Sequence, residues 1–271
     1  MPANKSPHCY LPYPLFDTHF HALHMFDRIP EAGTLLSEAF STNLRAAVEV
    51  AVDENNFEKR LDIADLHSMI FLSAGIHPSS TNPENSSWNK RFDIVRNQVS
   101  QTSVVAIGET GLDLFRDYAP QALQENAFRD HLQLAAETGL PVIIHNRSAD
   151  ERVLELVEES DCRSGIFHCF SSNWDVAKKA LDLGFHISFA GNISYKKTEV
   201  IREAAARIPS DRILLETDSP YLSPQTVRGI PNHPGHIGYT LETLAEIRNE
   251  NPEELAATIV GNALGIFKIP S

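Results

Sequence analysis

Eight short apolar runs, each followed by a stretch that carries a helix or a helical periodicity, constrain this chain more than any other feature. The runs fall at residues 15–21, 46–52, 70–74, 104–107, 141–145, 165–170, 185–189 and 213–217. They are apolar throughout instead of alternating, as strands covered on both faces must be. Helical patterns fall between them at 32–41, 57–65, 88–100, 121–138, 150–158, 174–183 and 198–208. Gly139, Gly184 and Pro209 stand where three of those helices should stop. Residues 83–87 read as a polar loop. A Pro- and Gly-rich loop over 219–238 precedes two last helical segments, 239–249 and 252–266. Eight strands with helical crossovers predict an α/β fold, a (β/α)8 TIM barrel in a single domain, and 271 residues suit a barrel of about 250. A doubly wound open sheet is the alternative, but no Gly-x-Gly-x-x-Gly follows a strand to favour it. Residues 1–14 read as an N-terminal extension and 15–271 as the barrel.

Charge and cysteine content narrow the function. Lys and Arg number 23 against 36 Asp and Glu, a net charge of −13, which argues against duplex binding through a broad basic surface. A nucleic-acid substrate stays open, because bound cations can supply local positive charge. Cys9, Cys162 and Cys169 are too few and odd in number for a disulfide framework, so a reducing cytosol is expected. No apolar run approaches a membrane span of about 18 residues. The first fourteen residues lack the apolar core of a secretory signal. Nothing in the sequence calls for an obligate protein partner.

The first strand ends in Asp17-Thr18-His19-Phe20-His21. Side chains alternate with period two along a strand, so Asp17, His19 and His21 are expected to point the same way, and both imidazoles can reach one ion. Further ionisable residues fall at the carboxyl ends of other strands: Glu109 at the fourth, His145 at the fifth, His168 at the sixth and Asp218 at the eighth. Barrel active sites lie on that face. Six such ligands exceed what one tetrahedral zinc with an open position needs, and suit two metals sharing a carboxylate. His8, His24, His67, His131 and His186 show no such placement and read as ordinary. Alternation turns Cys169 towards the helix layer, as a packed apolar residue.

Five segments together resemble the TatD family of metal-dependent hydrolases, within the amidohydrolase-like barrel superfamily. They are Asp17-Thr18-His19-Phe20-His21, Gly108-Glu109-Thr110-Gly111-Leu112-Asp113, Pro141-Val142-Ile143-Ile144-His145-Asn146-Arg147, Phe167-His168-Cys169-Phe170 and Leu215-Glu216-Thr217-Asp218-Ser219-Pro220-Tyr221-Leu222. The resemblance runs from about residue 15 to 265, and several members of that family are deoxyribonucleases. It implies two divalent ions, Mg, Mn or Zn. His19, His21 and Asp218 would hold the first, His145 and His168 the second, and Glu109 would bridge. Gly75-Ile76-His77-Pro78 also resembles a family motif and puts His77 near the site. The implied reaction is phosphodiester hydrolysis of DNA, exonucleolytic on single strands, through a water activated by the two metals.

In that reading Asp218 doubles as general base beside the water. His77, Arg147 and Arg228 are the substrate-binding candidates, Arg147 being placed to pair with a phosphate. Lys196 and Lys197 lie in loops expected on the same face. Phe20, Phe170 and Tyr221 flank the motifs and are expected chiefly as core, with base stacking as the other role. One stretch departs from the family, which usually shows Arg-Gly-x-basic-Asn-Glu-Pro: here Pro231 and His233 replace the basic residue and the glutamate. That keeps a related metallohydrolase of amides, lactones or small phosphoesters as the alternative. The complete ligand set argues against a binding protein that has lost catalysis.

Overall fold

The computed structural model describes residues 9–82 and 87–270. One parallel sheet carries the eight strands in chain order. They are β1 (Leu15–Phe20), β2 (Leu44–Glu49), β3 (Ile70–Ala74), β4 (Val104–Asp113), β5 (Val142–Arg147), β6 (Gly165–Phe167), β7 (His186–Phe189) and β8 (Ile213–Leu215). The last strand meets the first. Phe20 bridges Ser219, the His21 N–H donates to the Ser219 carbonyl at 2.8 Å and the Asp218 N–H to that of His19 at 2.9 Å. The sheet is therefore a nearly closed (β/α)8 barrel, and the open-sheet alternative falls.

Among the described residues ten α-helices surround it: α1 (Ala22–Arg28), α2 (Ala32–Thr42), α3 (Phe57–Ala64), α4 (Trp88–Val99), α5 (Gln121–Thr138), α6 (Asp150–Glu159), α7 (Trp174–Asp182), α8 (Glu199–Arg207), α9 (Ile237–Arg248) and α10 (Pro252–Ile266). The larger apolar cluster joins strands to helices, through residues such as Leu72, Ile144, Phe167, Phe128 and Leu132. Burying one such side chain stabilises by about 1.5–3 kcal/mol. A second cluster takes Phe16, Ala46, Val105 and Ile143 from the first halves of their strands and packs them on Val260 and Phe267. Phe16 and Phe267 stack at 5.8 Å. The amino ends of the strands are thus sealed with apolar groups, and the carboxyl ends are left for polar chemistry.

Several elements differ from expectation; β2, expected over 46–52, spans Leu44–Glu49. Helix α1 was not expected. It is seven residues long and buries only Ala22 and Met25, too little to show a helical period. Strand β4 runs on to Asp113 instead of stopping at residue 107, while β6 stops at Phe167 and β8 at Leu215. The polar loop expected over 83–87 lies outside the described residues except for Ser87, as do residues 1–8 of the N-terminal extension, His8 included. From that extension Cys9 donates its N–H to the Gly235 carbonyl at 3.1 Å. All three cysteines are free. No described helix is long and apolar enough to cross a membrane.

Candidate metal centre

Glu109 is placed by an irregularity in its strand. Ile107 pairs with Val142 and Thr110 with Ile144, so three steps on β4 span two on β5. Such a bulge re-aims a side chain. It needs glycine: Gly108 has φ +132°, and a Cβ there would lie 2.6 Å from the Ile143 carbonyl oxygen. Around Glu109 the barrel mouth gathers His19 near the end of β1, His21 just after it, His145 in β5, His168 one residue past β6 and Asp218 past β8.

The two oxygens of Glu109 face two different groups. Its Oε2 lies 3.5 Å from His19 Nε2 and 3.6 Å from His21 Nε2. Asp218 Oδ1 is 3.8 and 3.5 Å from the same two nitrogens. Glu109 Oε1 lies 2.7 Å from both His145 Nδ1 and His168 Nε2. Within each group the imidazole nitrogens are 3.2 Å (His19–His21) and 3.5 Å (His145–His168) apart. Two nitrogens each about 2.0–2.1 Å from one tetrahedral ion would be separated by about 3.4 Å. The donor set therefore fits divalent cations, and all six expected ligands converge.

The rear nitrogens agree. His21 Nδ1 lies 3.1 Å from the Val50 carbonyl oxygen, which can only accept, so in the neutral ring the proton sits there and the Nε2 lone pair faces the centre. Glu216 Oε1 stands 3.2 Å behind His168 Nδ1, and Asp113 Oδ2 3.4 Å behind His145 Nε2. Carboxylates and carbonyls behind metal-binding histidines fix ring and tautomer in this manner. Glu216 and Asp113 lie within the sequence motifs, but nothing in the sequence alone gives them this place behind the imidazoles. His19 Nδ1 is buried with no partner.

Burial would raise the Glu109 carboxyl, but the charges and hydrogen bonds of His168, His77 and His145 outweigh it and hold it well below its ordinary value. Burial would lower His168, yet Glu109 and Glu216 raise it well above the usual imidazole range. For Asp218 burial is again outweighed, by the hydrogen bond of His21 and the charges of His19, His21 and His168, and the value is lowered. A cation entering this cluster displaces imidazole protons.

His77 sits beside the centre in a different state. Its Nδ1 accepts the Ser79 N–H at 3.0 Å, so in the neutral ring the proton is on Nε2, 3.6 Å from Glu109 Oε1. Burial, with the nearby imidazoles, pushes its pKa down to about 3 against the pull of Glu109. His77 thus presents a neutral N–H donor. The backbone beside it is held by His131, whose Nε2 accepts the Ile76 N–H at 3.0 Å and whose Nδ1 lies 2.7 Å from the Ala127 carbonyl oxygen. His131 is ordinary in bonding, as expected, but it fixes the loop that carries His77.

A cavity of about 480 Å³ opens over these groups, and His77, Arg147, Tyr221 and Asp218 line it. Arg228 does not. It is exposed, its guanidinium 4.3 Å from the Tyr195 ring centre, and it lies outside the cavity lining, as do Lys196 and Lys197. Phe20 and Phe170 are core residues. Three orientations are corrected. Cys169 lines the cavity, because the strand has ended and the residue turns at φ 45°, so alternation no longer applies. Asp17 does not join the histidines. Its Oδ1 and Oδ2 accept from the Thr217 N–H at 2.9 Å and hydroxyl at 2.6 Å, which pins the segment before Asp218. His24, read as ordinary, lines the cavity and bonds the Tyr221 hydroxyl at 3.1 Å.

A histidine–carboxylate centre at the carboxyl end of an α/β barrel defines a metal-dependent hydrolase architecture. The family described as TatD related DNase matches residues 16–268, and the chain belongs to that family of metal-dependent hydrolases. It is 33% identical over 260 residues, 94% of this chain and 99% of the other, to a Bacillus subtilis protein described as uncharacterized metal-dependent hydrolase YabD. A solved Escherichia coli TatD homologue, YjjV, superposes with a TM-score of 0.86 at 29% identity, covering 94% of this chain and 98% of that one. An organophosphorus hydrolase mutant, at 16% identity and a TM-score of 0.67 over 93% of this chain and 92% of that one, shares the fold.

Proposed function

We propose that this protein hydrolyses phosphodiester bonds of DNA, working from the ends of single strands, with two divalent ions held across Glu109. The observation that carries the reading is the division of the centre by the two oxygens of Glu109, each facing its own pair of imidazoles. His19, His21 and Asp218 would hold one ion, and His145 and His168 the other. Bound ions of this kind polarise phosphoryl oxygens and lower the pKa of water.

The chain's own groups supply the rest. Asp218 accepts the proton of the attacking water. His77, neutral and with Nε2–H aimed at the centre, donates to a non-bridging phosphoryl oxygen. Arg147 and Arg116, both on the cavity wall, hold the neighbouring phosphates. In a chain of net charge −13, this confines the attraction for DNA to the mouth of the barrel. The departure at Pro231 and His233, which keeps amides, lactones or small phosphoesters open as substrates, lies away from the cavity: neither residue lines it, and His233 is buried, accepting the Gly235 N–H at 3.2 Å. Three unpaired cysteines support a cytoplasmic location.

The test is metal-reconstituted protein on end-labelled single and double strands, beside an amide, a lactone and a small phosphoester, with Asp218→Asn as control. Stepwise shortening of the single strand that depends on Asp218 supports the reading. Turnover of the small substrates alone would replace it with the metallohydrolase alternative.

A further inference from the structure

The loop after β4 exposes three apolar side chains beside the cavity: Leu114, Phe115 and Tyr118. Phe115 is 65% exposed, the most exposed large apolar side chain among the described residues. It is not held out by looseness. Asp113 Oδ1 accepts the N–H groups of Phe115 and Arg116 at 3.1 and 3.0 Å, and the Leu114 N–H donates to the Arg147 carbonyl at 2.9 Å. The buried Gln124 accepts the Asp113 N–H at 2.9 Å and donates to the Ala119 carbonyl at 2.8 Å. The same Asp113 that stands behind His145 therefore fixes this loop relative to the centre.

Cations accompany the rings. The Arg147 guanidinium lies 4.5 Å from the Phe115 ring centre, and Arg116 donates to the Tyr118 hydroxyl. Arg116, Tyr118 and Arg147 line the cavity that holds Glu109 and Asp218. A rigid, solvent-facing phenyl with a guanidinium on it, next to a second cation–aromatic pair, suits a polymer that alternates flat rings with negative charges. Base–aromatic stacking with a basic groove is the usual means of holding unpaired strands. A duplex keeps its base faces stacked inside and cannot offer them.

We propose that Phe115 is a stacking platform for an unpaired nucleobase, with Arg147 and Arg116 holding the adjoining phosphates, and that it sets the preference for single strands. The proposal rests on the reading of the site as a DNA hydrolase. The β4–α5 loop then acts as the reader of strand state, separate from the groups that hold the ions.

Phe115→Ala and Phe115→Trp are compared with wild type on a labelled single strand and on the same strand made abasic at its terminal positions. Removing one stack should raise KM on the base-bearing strand by about 5- to 150-fold with kcat little changed. The penalty should shrink on the abasic strand, and Phe115→Trp should restore the wild-type KM. Equal penalties on both strands, or no change in KM, overturn the proposal. A second readout does not depend on turnover. Tryptophan fluorescence of Phe115→Trp, over the wild-type background of Trp88 and Trp174, should respond to a non-hydrolysable phosphorothioate single strand. A response without cleavage by any variant keeps the platform and refutes the nuclease. Cleavage by wild type with no response and no KM change keeps the nuclease and refutes the platform.

Discussion

Replacing Glu109 by glutamine tests the division of the centre in two. The side chain is 3% exposed and glutamine keeps its volume, so the change removes the charge and turns one acceptor oxygen into an N–H donor. Its Oε1 is 2.7 Å from His145 Nδ1 and His168 Nε2, and its Oε2 is 3.5 and 3.6 Å from His19 and His21. A cation held by either pair therefore sits against this carboxylate. Opposite unit charges about 4 Å apart attract by about 4 kcal/mol at an effective dielectric of about 20, which is a floor for a divalent ion against this carboxylate. At 1.4 kcal/mol per decade that weakens binding by about 10³, and at both positions, because one anion serves both. Arg147→Ala touches no ligand and should leave ion content unchanged. The assay is elemental analysis after dialysis against graded chelator, with melting temperature measured on the same samples. Glu109→Gln holding as many ions as wild type, or losing one while the other stays equally tight, would refute the argument.

Three further outcomes are expected. Asp218→Asn keeps the shape and an oxygen but cannot take a proton near neutral pH, so single-turnover cleavage at saturating metal should fall by about 10²–10⁴; full rate in a loaded variant would remove Asp218 from the base role. His131 is fully buried and its pKa is pushed down to about 4 by burial, so the unfolded chain takes its proton first as pH falls below about 6.5, and wild type should lose about 2 kcal/mol more stability than His131→Gln between about pH 7.5 and 5, read by urea unfolding. Glutamine can make both hydrogen bonds of His131 without titrating, so equal losses would show that His131 is not the group concerned. Gly108→Ala puts a Cβ 2.6 Å from the Ile143 carbonyl at φ +132° and should cost more than the about 1–3 kcal/mol of backbone strain alone, with loss of ion binding as Glu109 shifts; an unchanged urea midpoint would remove the need for glycine at the bulge.

The candidate ligands were legible because their pattern is local. His19 and His21 share a strand with period two, and the others stand where apolar runs give way to polar residues. What sequence hid depends on neighbours far along the chain. Glu216 stands behind His168 and Asp113 behind His145, contacts across 48 and 32 positions of sequence that no spacing within one motif reveals. The bulge at Gly108 is a mismatch between two strands, so the Gly108-Glu109 pair alone reads as an ordinary strand end. Cys169 was misplaced by a strand taken three residues too long, and one residue of error reverses a face. Arg228 follows a family motif but stacks on Tyr195 outside the cavity, because a loop's position is set by packing and not by its sequence.

Anomalous diffraction from crystals of protein loaded with Mn or Zn tests the central claim most directly. Two peaks should flank Glu109, one between His19 and His21 and the other between His145 and His168, separated by about 3.5–4 Å as in two-metal sites. A single peak, or peaks away from these nitrogens with the ions saturating, would contradict the account.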